Sequence, residues 1–132
     1  MQTLPLRGRV IAEGLLFPEG PIALPDGSVL VAEIQGARLV KVHADGRKQV
    51  VAELGGGPNG AALGPDGHVY VCNNGGFSWR TDDGFTRPTG AASGYQGGYI
   101  QRVNLQTGSV QTLYTECDGL PLHGPNDIVF DA

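Results

Sequence analysis

Residues 18–33, PEGPIALPDGSVLVAE, recur forty positions later as PNGAALGPDGHVYVCN, residues 58–73. An internal repeat of this length is the first feature to interpret in a sequence, because it indicates repeated structural units. A third copy opens at residue 125 with PNDIVFDA. Seven of the sixteen positions in the first two copies are identical, namely Pro18, Gly20, Pro25, Asp26, Gly27, Val29 and Val31 with their counterparts.

Each copy has the pattern of antiparallel strands. The apolar GPIAL is followed by the tight-turn triplet PDG and then by a run of β-branched and aromatic residues. Hairpin signals at Asp45-Gly46 and Thr107-Gly108 supply two further strands to each copy. Four strands in roughly 40 residues are typical of one β-propeller blade. We therefore predict an all-β fold, a partial β-propeller, with blade one at 14–56, blade two at 57–123 and the start of a third at 124–132.

The second copy is longer than the first. The interval from Pro58 to Pro125 is 67 residues rather than 40, and the 62-residue spacing of Gly46 and Gly108 indicates that about 22 extra residues are inserted between Asn73 and Gly98. This segment is rich in Gly, Thr and Asp, so we expect a long inserted loop over 75–97 without strands. Its aromatic residues either form a lid or pack the loop onto the propeller face; they are Phe77, Trp79, Phe85 and Tyr95.

Propellers close with roughly four to eight blades, so two blades and part of a third leave an open edge. We expect the remaining blades to come from a longer C-terminal part of the protein or from other copies of the chain. In the second case a homo-oligomer would complete the ring.

Composition excludes several classes of function. The net charge is −4, from 9 basic and 13 acidic residues, with no basic stripe that would bind nucleic acid. No apolar run approaches the roughly 20 residues of a membrane helix, and the N-terminus lacks the apolar core of a signal peptide. We expect a cytoplasmic protein that binds neither nucleic acid nor membrane, in which Cys72 and Cys117 are free thiols.

The repeat keeps its scaffold residues and varies one position, which is occupied by Glu19, Asn59 and Asn126. In a propeller this position starts the innermost strand and faces the central channel. A carboxylate and carboxamides converging there are hard oxygen donors that suit Ca²⁺ or Mg²⁺. The alternative is that Glu19 is a solvated loop carboxylate and that each Asn satisfies local backbone groups.

Other polar residues have structural interpretations. Asp26 and Asp66 are expected to be turn residues, while Asn73 and Asn74 end a strand and are expected to be structural. His123 is a lone histidine that precedes the third inner strand, where a proton-shuttle role is the minority alternative. The sequence contains no G-x-S-x-G elbow and no complete phosphate-binding loop.

The segments FPEGP, PNGAALGPDGHVYVCNNGG and GPNDIVFDA together resemble the N-terminal half of the regucalcin/gluconolactonase family, the senescence marker protein type. The resemblance implies a six-bladed propeller that holds one divalent cation, Ca²⁺ foremost, with Zn²⁺ or Mg²⁺ as alternatives. It also implies hydrolysis of sugar lactones and related esters as small-molecule substrates. By motif, Glu19 and Asn126 correspond to metal-site residues, and Asn59 and Asn126 correspond to substrate-pocket residues.

The resemblance further implies that the remaining metal ligands and the general base lie in later blades. We therefore expect no catalytic base within these residues. A second hypothesis is a non-catalytic propeller that binds small molecules or proteins through its channel and the 75–97 loop.

Overall fold

The structure is a computed structural model that describes residues 8–131. These residues form short strands and no α-helix. The strands are β1 (Pro18–Ala23), β2 (Val29–Glu33), β3 (Arg38–Val42), β4 (Lys48–Glu53), β5 (Pro58–Leu63), β6 (Val69–Asn73), β7 (Phe77–Asp82), β8 (Phe85–Ala91), β9 (Tyr99–Val103), β10 (Val110–Tyr114), β11 (Glu116–Cys117) and β12 (Leu120–Pro121).

Two four-stranded antiparallel sheets make up the body of the fold. The first has the order β1-β2-β3-β4, and the second has the order β5-β6-β9-β10. Both are meanders built from one copy of the repeat, and the second differs by the insertion of β7 and β8 between its second and third strands. The described residues therefore form two blades of a partial β-propeller, as the sequence predicted.

The turns between strands follow the sequence signals. After β1, the amide of Leu24 donates to the carbonyl of Ser28 at 2.9 Å, and the Asp26 carboxylate accepts from the Ser28 amide at 3.0 Å. Gly27 and its counterpart Gly67 have φ of 79° and 77°, which only glycine adopts without strain. Both aspartates are therefore turn residues, as expected.

The two aspartates also anchor the third strand of their blades. The Asp26 carboxylate pairs with Lys41 at 2.9 Å, and the Asp66 carboxylate pairs with Arg102 at 2.6 Å. Desolvation raises the pKa of Asp66, but hydrogen bonds from the His68 amide, Arg102 and Tyr70 outweigh it and hold the pKa at about 2.

The core lies between the two sheets. Buried aliphatic side chains from β2, β3 and β4 meet those from β6 and β9, and the first strands of the blades, β1 and β5, lie side by side. The cluster consists of Leu30, Leu39, Ala52, Leu54, Val69, Val71 and Val103. Val69 and Val71 are two positions apart on β6, so the alternation of side chains along a strand places both on the face that meets the core.

The inserted segment is not the structureless loop that we expected. Residues 77–82 and 85–91 pair as the antiparallel hairpin β7–β8, with Asp82 opposite Phe85. Asp83 and Gly84 have φ of 50° and 79°, so both central residues of the turn have positive φ, the hallmark of a type I′ hairpin turn. The Asp-Gly signal was present in the sequence, but the Gly- and Thr-rich composition around it obscured the alternation of the strands.

The expected third inner strand is also absent from the described residues. Residues 124–131 form no strand, and residue 132 lies outside the described part. The carbonyl of Asn126 accepts from the amide of Gly60 at 2.8 Å, so this segment runs beside β5 without a ladder. A strand needs a neighbouring strand that pairs with it along its length, and residues 8–131 supply none to this segment.

Cys72 is buried and Cys117 is exposed, and both are free thiols, as predicted. No helix in residues 8–131 is long and apolar enough to cross a membrane.

Candidate functional site

The first strand of each blade contains the same irregularity. In β1 the register with β2 shifts between Glu19 and Ile22, and in β5 the register with β6 shifts between Pro58 and Ala61. Each shift is a β-bulge, which leaves residues unpaired and re-aims their side chains. The bulges fall at the variable position of the repeat, so Glu19 and Asn59 lie where the ladder is interrupted.

These side chains meet in one cavity. A pocket of about 230 Å³ is lined by both inner strands and by the segment after β12; the lining residues are Glu19, Gly20, Pro21, Asn59, Gly60, Ala61, Asn126 and Asp127. The structure thus brings together all three residues that the repeat singled out. Asp127 accepts from the Ile128 amide at 2.9 Å and also lines the pocket.

The two asparagines contact each other directly. Nδ2 of Asn59 donates to Oδ1 of Asn126 at 2.9 Å, across 67 residues of sequence. This bond fixes the orientation of the Asn126 carboxamide. It leaves the Nδ2 group of Asn126, the second lone pair of Asn126 Oδ1 and the Oδ1 atom of Asn59 available to a ligand.

Close backbone packing holds the inner strands at this spacing. A Cβ atom on Gly20 would lie 2.6 Å from the carbonyl oxygen of Asn59, and one on Gly60 would lie 2.5 Å from the carbonyl oxygen of Asn126. Glycine is therefore required at both positions, which explains why the repeat retains it next to the variable residue.

Asn73 is structural, as expected, and it positions the strand that contains Asn59. Its Oδ1 accepts from the amides of Gly57 at 2.9 Å and Gly75 at 3.0 Å, and its Nδ2 donates to Gly55 and Gln101. Because Gly57 directly precedes β5, this fully buried amide fixes the start of the inner strand.

A second, larger cavity adjoins the first. It occupies about 570 Å³ between the two asparagines and the hairpin, and its lining residues are Asn59, Asn74, Gly76, Phe77, Pro88, Gly90, Ala91, Tyr95, His123, Gly124 and Asn126. The hydroxyl of Tyr95 donates to the carbonyl of His123, which ties the end of the insert to the segment before Asn126.

The four aromatic residues of the insert lie in different surroundings. Phe77 and Tyr95 wall the larger cavity. Trp79 packs on Phe17 of the first blade with ring centroids 4.9 Å apart, and Phe85 is exposed at the hairpin tip. The sequence alone did not reveal the cavity, because its apolar wall forms only when the hairpin folds back over the inner strands.

The site is rich in oxygen donors and poor in other metal ligands. Among residues 8–131, no three His, Cys, Asp or Glu side chains cluster closely enough to hold a metal ion by themselves. Glu19 with the carboxamide oxygens of Asn59 and Asn126 would form part of the six to eight oxygen ligands that Ca²⁺ takes. These oxygen atoms therefore suit a hard divalent cation, which would need further ligands to complete its coordination.

The fold and this site define the described residues as two blades of a partial β-propeller with a pocket lined by oxygen-bearing side chains. A family model described as the SMP-30/Gluconolactonase/LRE-like region matches residues 17–132. The chain belongs to this family, which confirms the resemblance seen in its sequence.

Among solved structures, the PQQ-bound form of aldose sugar dehydrogenase from Streptomyces coelicolor is similar to this chain. The two share 27% sequence identity with a TM-score of 0.52, over 79% of this chain and 31% of the dehydrogenase. The chain thus spans about a third of the length of that protein. No curated protein matched the sequence.

Proposed function

We propose that these residues contribute two blades of a divalent-cation-dependent lactone or ester hydrolase of the gluconolactonase type. The observation that carries the proposal is the convergence of Glu19, Asn59 and Asn126 on one pocket at the axis end of the inner strands. Membership of the SMP-30/gluconolactonase family supports the same class of substrate.

In this proposal Glu19 and Asn126 bind the cation, and Asn59 and Asn126 bind the substrate. A cation in this pocket would act as a Lewis acid that polarises the lactone carbonyl. Glu19 contributes its negative charge to holding that cation. Asn59 holds the Asn126 carboxamide through their 2.9 Å hydrogen bond, so that Nδ2 of Asn126 can donate to a ring oxygen of the substrate.

Hydrolysis adds water across the acyl–oxygen bond, so the ring opens to a hydroxy acid. The general base for the attacking water is expected in later blades. The hairpin β7–β8 shields one side of the larger cavity, which limits solvent around the bound ring.

These residues do not by themselves supply a site for the cofactor of the similar dehydrogenase. PQQ carries three carboxylates, and binding such an anion calls for lysine or arginine side chains. The described residues that line the two channel cavities include neither, whereas they include Glu19 and Asp127. Later blades would have to supply such side chains for PQQ, and membership of the SMP-30/gluconolactonase family favours lactone hydrolysis.

A hydrolysis assay on the intact protein tests the proposal. Ring opening of D-glucono-1,5-lactone and of simpler lactones is followed by acid release with Ca²⁺, Zn²⁺ or Mg²⁺ present and with EDTA. We expect cation-dependent turnover that Glu19→Gln lowers about 100-fold in kcat/KM, the effect of losing about 2.7 kcal/mol of transition-state stabilisation.

Glu116→Gln is the matched control, because Glu116 is exposed on β11 and lies outside both cavities. It should leave kcat/KM unchanged. Absence of cation-dependent hydrolysis across the lactones would refute the proposal and favour a non-catalytic binding propeller.

A further inference from the structure

Asn74 is held in one orientation by the backbone. It follows β6 and is 6% exposed. Its Oδ1 accepts from the amide of Gly76 at 2.8 Å. If the oxygen and nitrogen of the carboxamide were exchanged, Nδ2 would face the Gly76 amide, donor against donor. Oδ1 therefore faces Gly76, and Nδ2 lies on the opposite side of the carboxamide.

The Nδ2 group of Asn74 is a buried donor without an acceptor in residues 8–131. A buried polar group without a partner costs about 1–3 kcal/mol, and most such groups in folded proteins are paired. The preceding residue shows that this strand end can supply acceptors, since Nδ2 of Asn73 donates to both Gly55 and Gln101. The unpaired donor is therefore specific to Asn74.

Asn74 lines the larger cavity, and its carboxamide packs over Gly57 at the start of the inner strand. The facing wall is apolar and comes from the hairpin and the residues after it; it consists of Phe77, Pro88, Ala91 and Tyr95. No Asp, Glu, Lys or Arg side chain is among the described residues that line this cavity. Its chemistry therefore favours an uncharged molecule with a hydrogen-bond acceptor on one side and an apolar group on the other.

We propose that Asn74 is a substrate-binding residue for a lactone that carries an apolar substituent. Nδ2 of Asn74 donates to an oxygen of the ring, and the substituent lies against Phe77 and the hairpin wall. The inference rests on the proposed lactone hydrolysis and narrows its substrate class. Because Nδ2 is itself buried, the ligand reaches it after a small outward movement of β7. Gly75 and Gly76 connect β7 to Asn74, with φ of 87° and 102°.

Nuclear magnetic resonance of the intact protein with ¹⁵N-labelled asparagine tests this inference directly. The probes are two lactams that bear the same acceptor carbonyl and resist hydrolysis, 5-pentyl-2-pyrrolidinone and unsubstituted 2-pyrrolidinone. We expect a saturable shift of the Asn74 side-chain amide with both probes and little change at Asn73. The pentyl lactam should bind at least about tenfold more tightly, because each buried methylene adds about 0.8 kcal/mol.

Variants test the polar side and the apolar side of the cavity separately. Asn74→Asp keeps the acceptor for the Gly76 amide and removes the donor, so both lactams should bind about tenfold more weakly, equivalent to about 1.4 kcal/mol. Phe77→Ala should weaken only the pentyl lactam. Phe85→Ala is the matched control, because Phe85 is 64% exposed at the tip of the same hairpin, and it should change neither affinity.

The outcomes distinguish this inference from the proposed function. Shifts at Asn59 and Asn126 without a shift at Asn74 would overturn the inference and leave the lactone site intact. Equal affinity for the two lactams, or no saturable shift at all, would also overturn it. Lactam binding at Asn74 in a protein that hydrolyses no lactone would support the binding role while refuting catalysis. If Asn74→Asp does not fold, the Asn74 shift and the two phenylalanine variants still decide the question.

Discussion

Replacing Asn73 by alanine should remove the buried link that positions the inner strand of the second blade. Its side chain makes four hydrogen bonds, at 2.9 and 3.0 Å to the amides of Gly57 and Gly75 and at 2.9 and 3.1 Å to Gly55 and Gln101. A net contribution of about 1 kcal/mol from each bond predicts a loss of about 4 kcal/mol in the free energy of unfolding.

Urea unfolding followed by the fluorescence of Trp79, the only tryptophan in the chain, measures this loss. With a slope of about 2 kcal/mol/M, the midpoint should fall by about 2 M. Asn104→Ala is the control: Asn104 Oδ1 accepts from two backbone amides in its turn, and its Nδ2 makes only a long 3.4 Å contact with Nε2 of His68, so the loss should be about 2 kcal/mol. A loss for Asn73→Ala no larger than that of the control would refute the structural role assigned to Asn73.

Three further predictions follow from particular residues. Gly20→Ala should destabilise the protein by about 2–3 kcal/mol more than Gly67→Ala in the same urea assay. Both glycines have positive φ, but only at Gly20 would a Cβ meet backbone, at 2.6 Å. Equal losses of unfolding free energy in the two variants would contradict the close packing of β1 on β5. The pKa of Asp66 in the folded protein, about 2, lies below its unfolded value, so the carboxylate's contribution to the free energy of unfolding is complete above pH 4 and is lost as pH falls towards 2. Asp66→Asn should therefore reduce the dependence of the free energy of unfolding on pH between about 4 and 2. An unchanged dependence would exclude the carboxylate as its cause. Cys117 should react with a thiol reagent in the native protein while Cys72 reacts only after unfolding, because burial shields the Cys72 thiol and raises its pKa. Equal reaction rates of the two thiols in the native protein would contradict the burial of β6.

The sequence was sufficient to predict the blades because the repeat combines two local signals. The PDG turns and the period-2 runs specify neighbouring antiparallel strands, and no long-range information is needed to pair them. The convergence of Glu19, Asn59 and Asn126 followed from the same register, since equivalent positions in successive blades face the same axis.

The features that the sequence analysis missed depend on contacts between distant segments. The hairpin β7–β8 was mistaken for a loop because its residues were judged by composition, although Asp83-Gly84 was a local signal for its turn. The unpaired donor of Asn74 cannot be recognised from sequence, because it depends on which acceptors the fold brings within reach. Likewise, the contact of Trp79 with Phe17 joins residues 62 positions apart.

Cation content of the intact protein tests the central claim most directly. Purified wild-type protein and its Glu19→Gln variant are dialysed against Ca²⁺ and analysed for bound metal by mass spectrometry. If Glu19 at the start of β1 is a ligand, the wild type will retain one cation per channel and the variant will lose it at the same free Ca²⁺ concentration. Equal metal content in the two proteins would show that Glu19 does not hold a cation, and the proposed site would have to be abandoned.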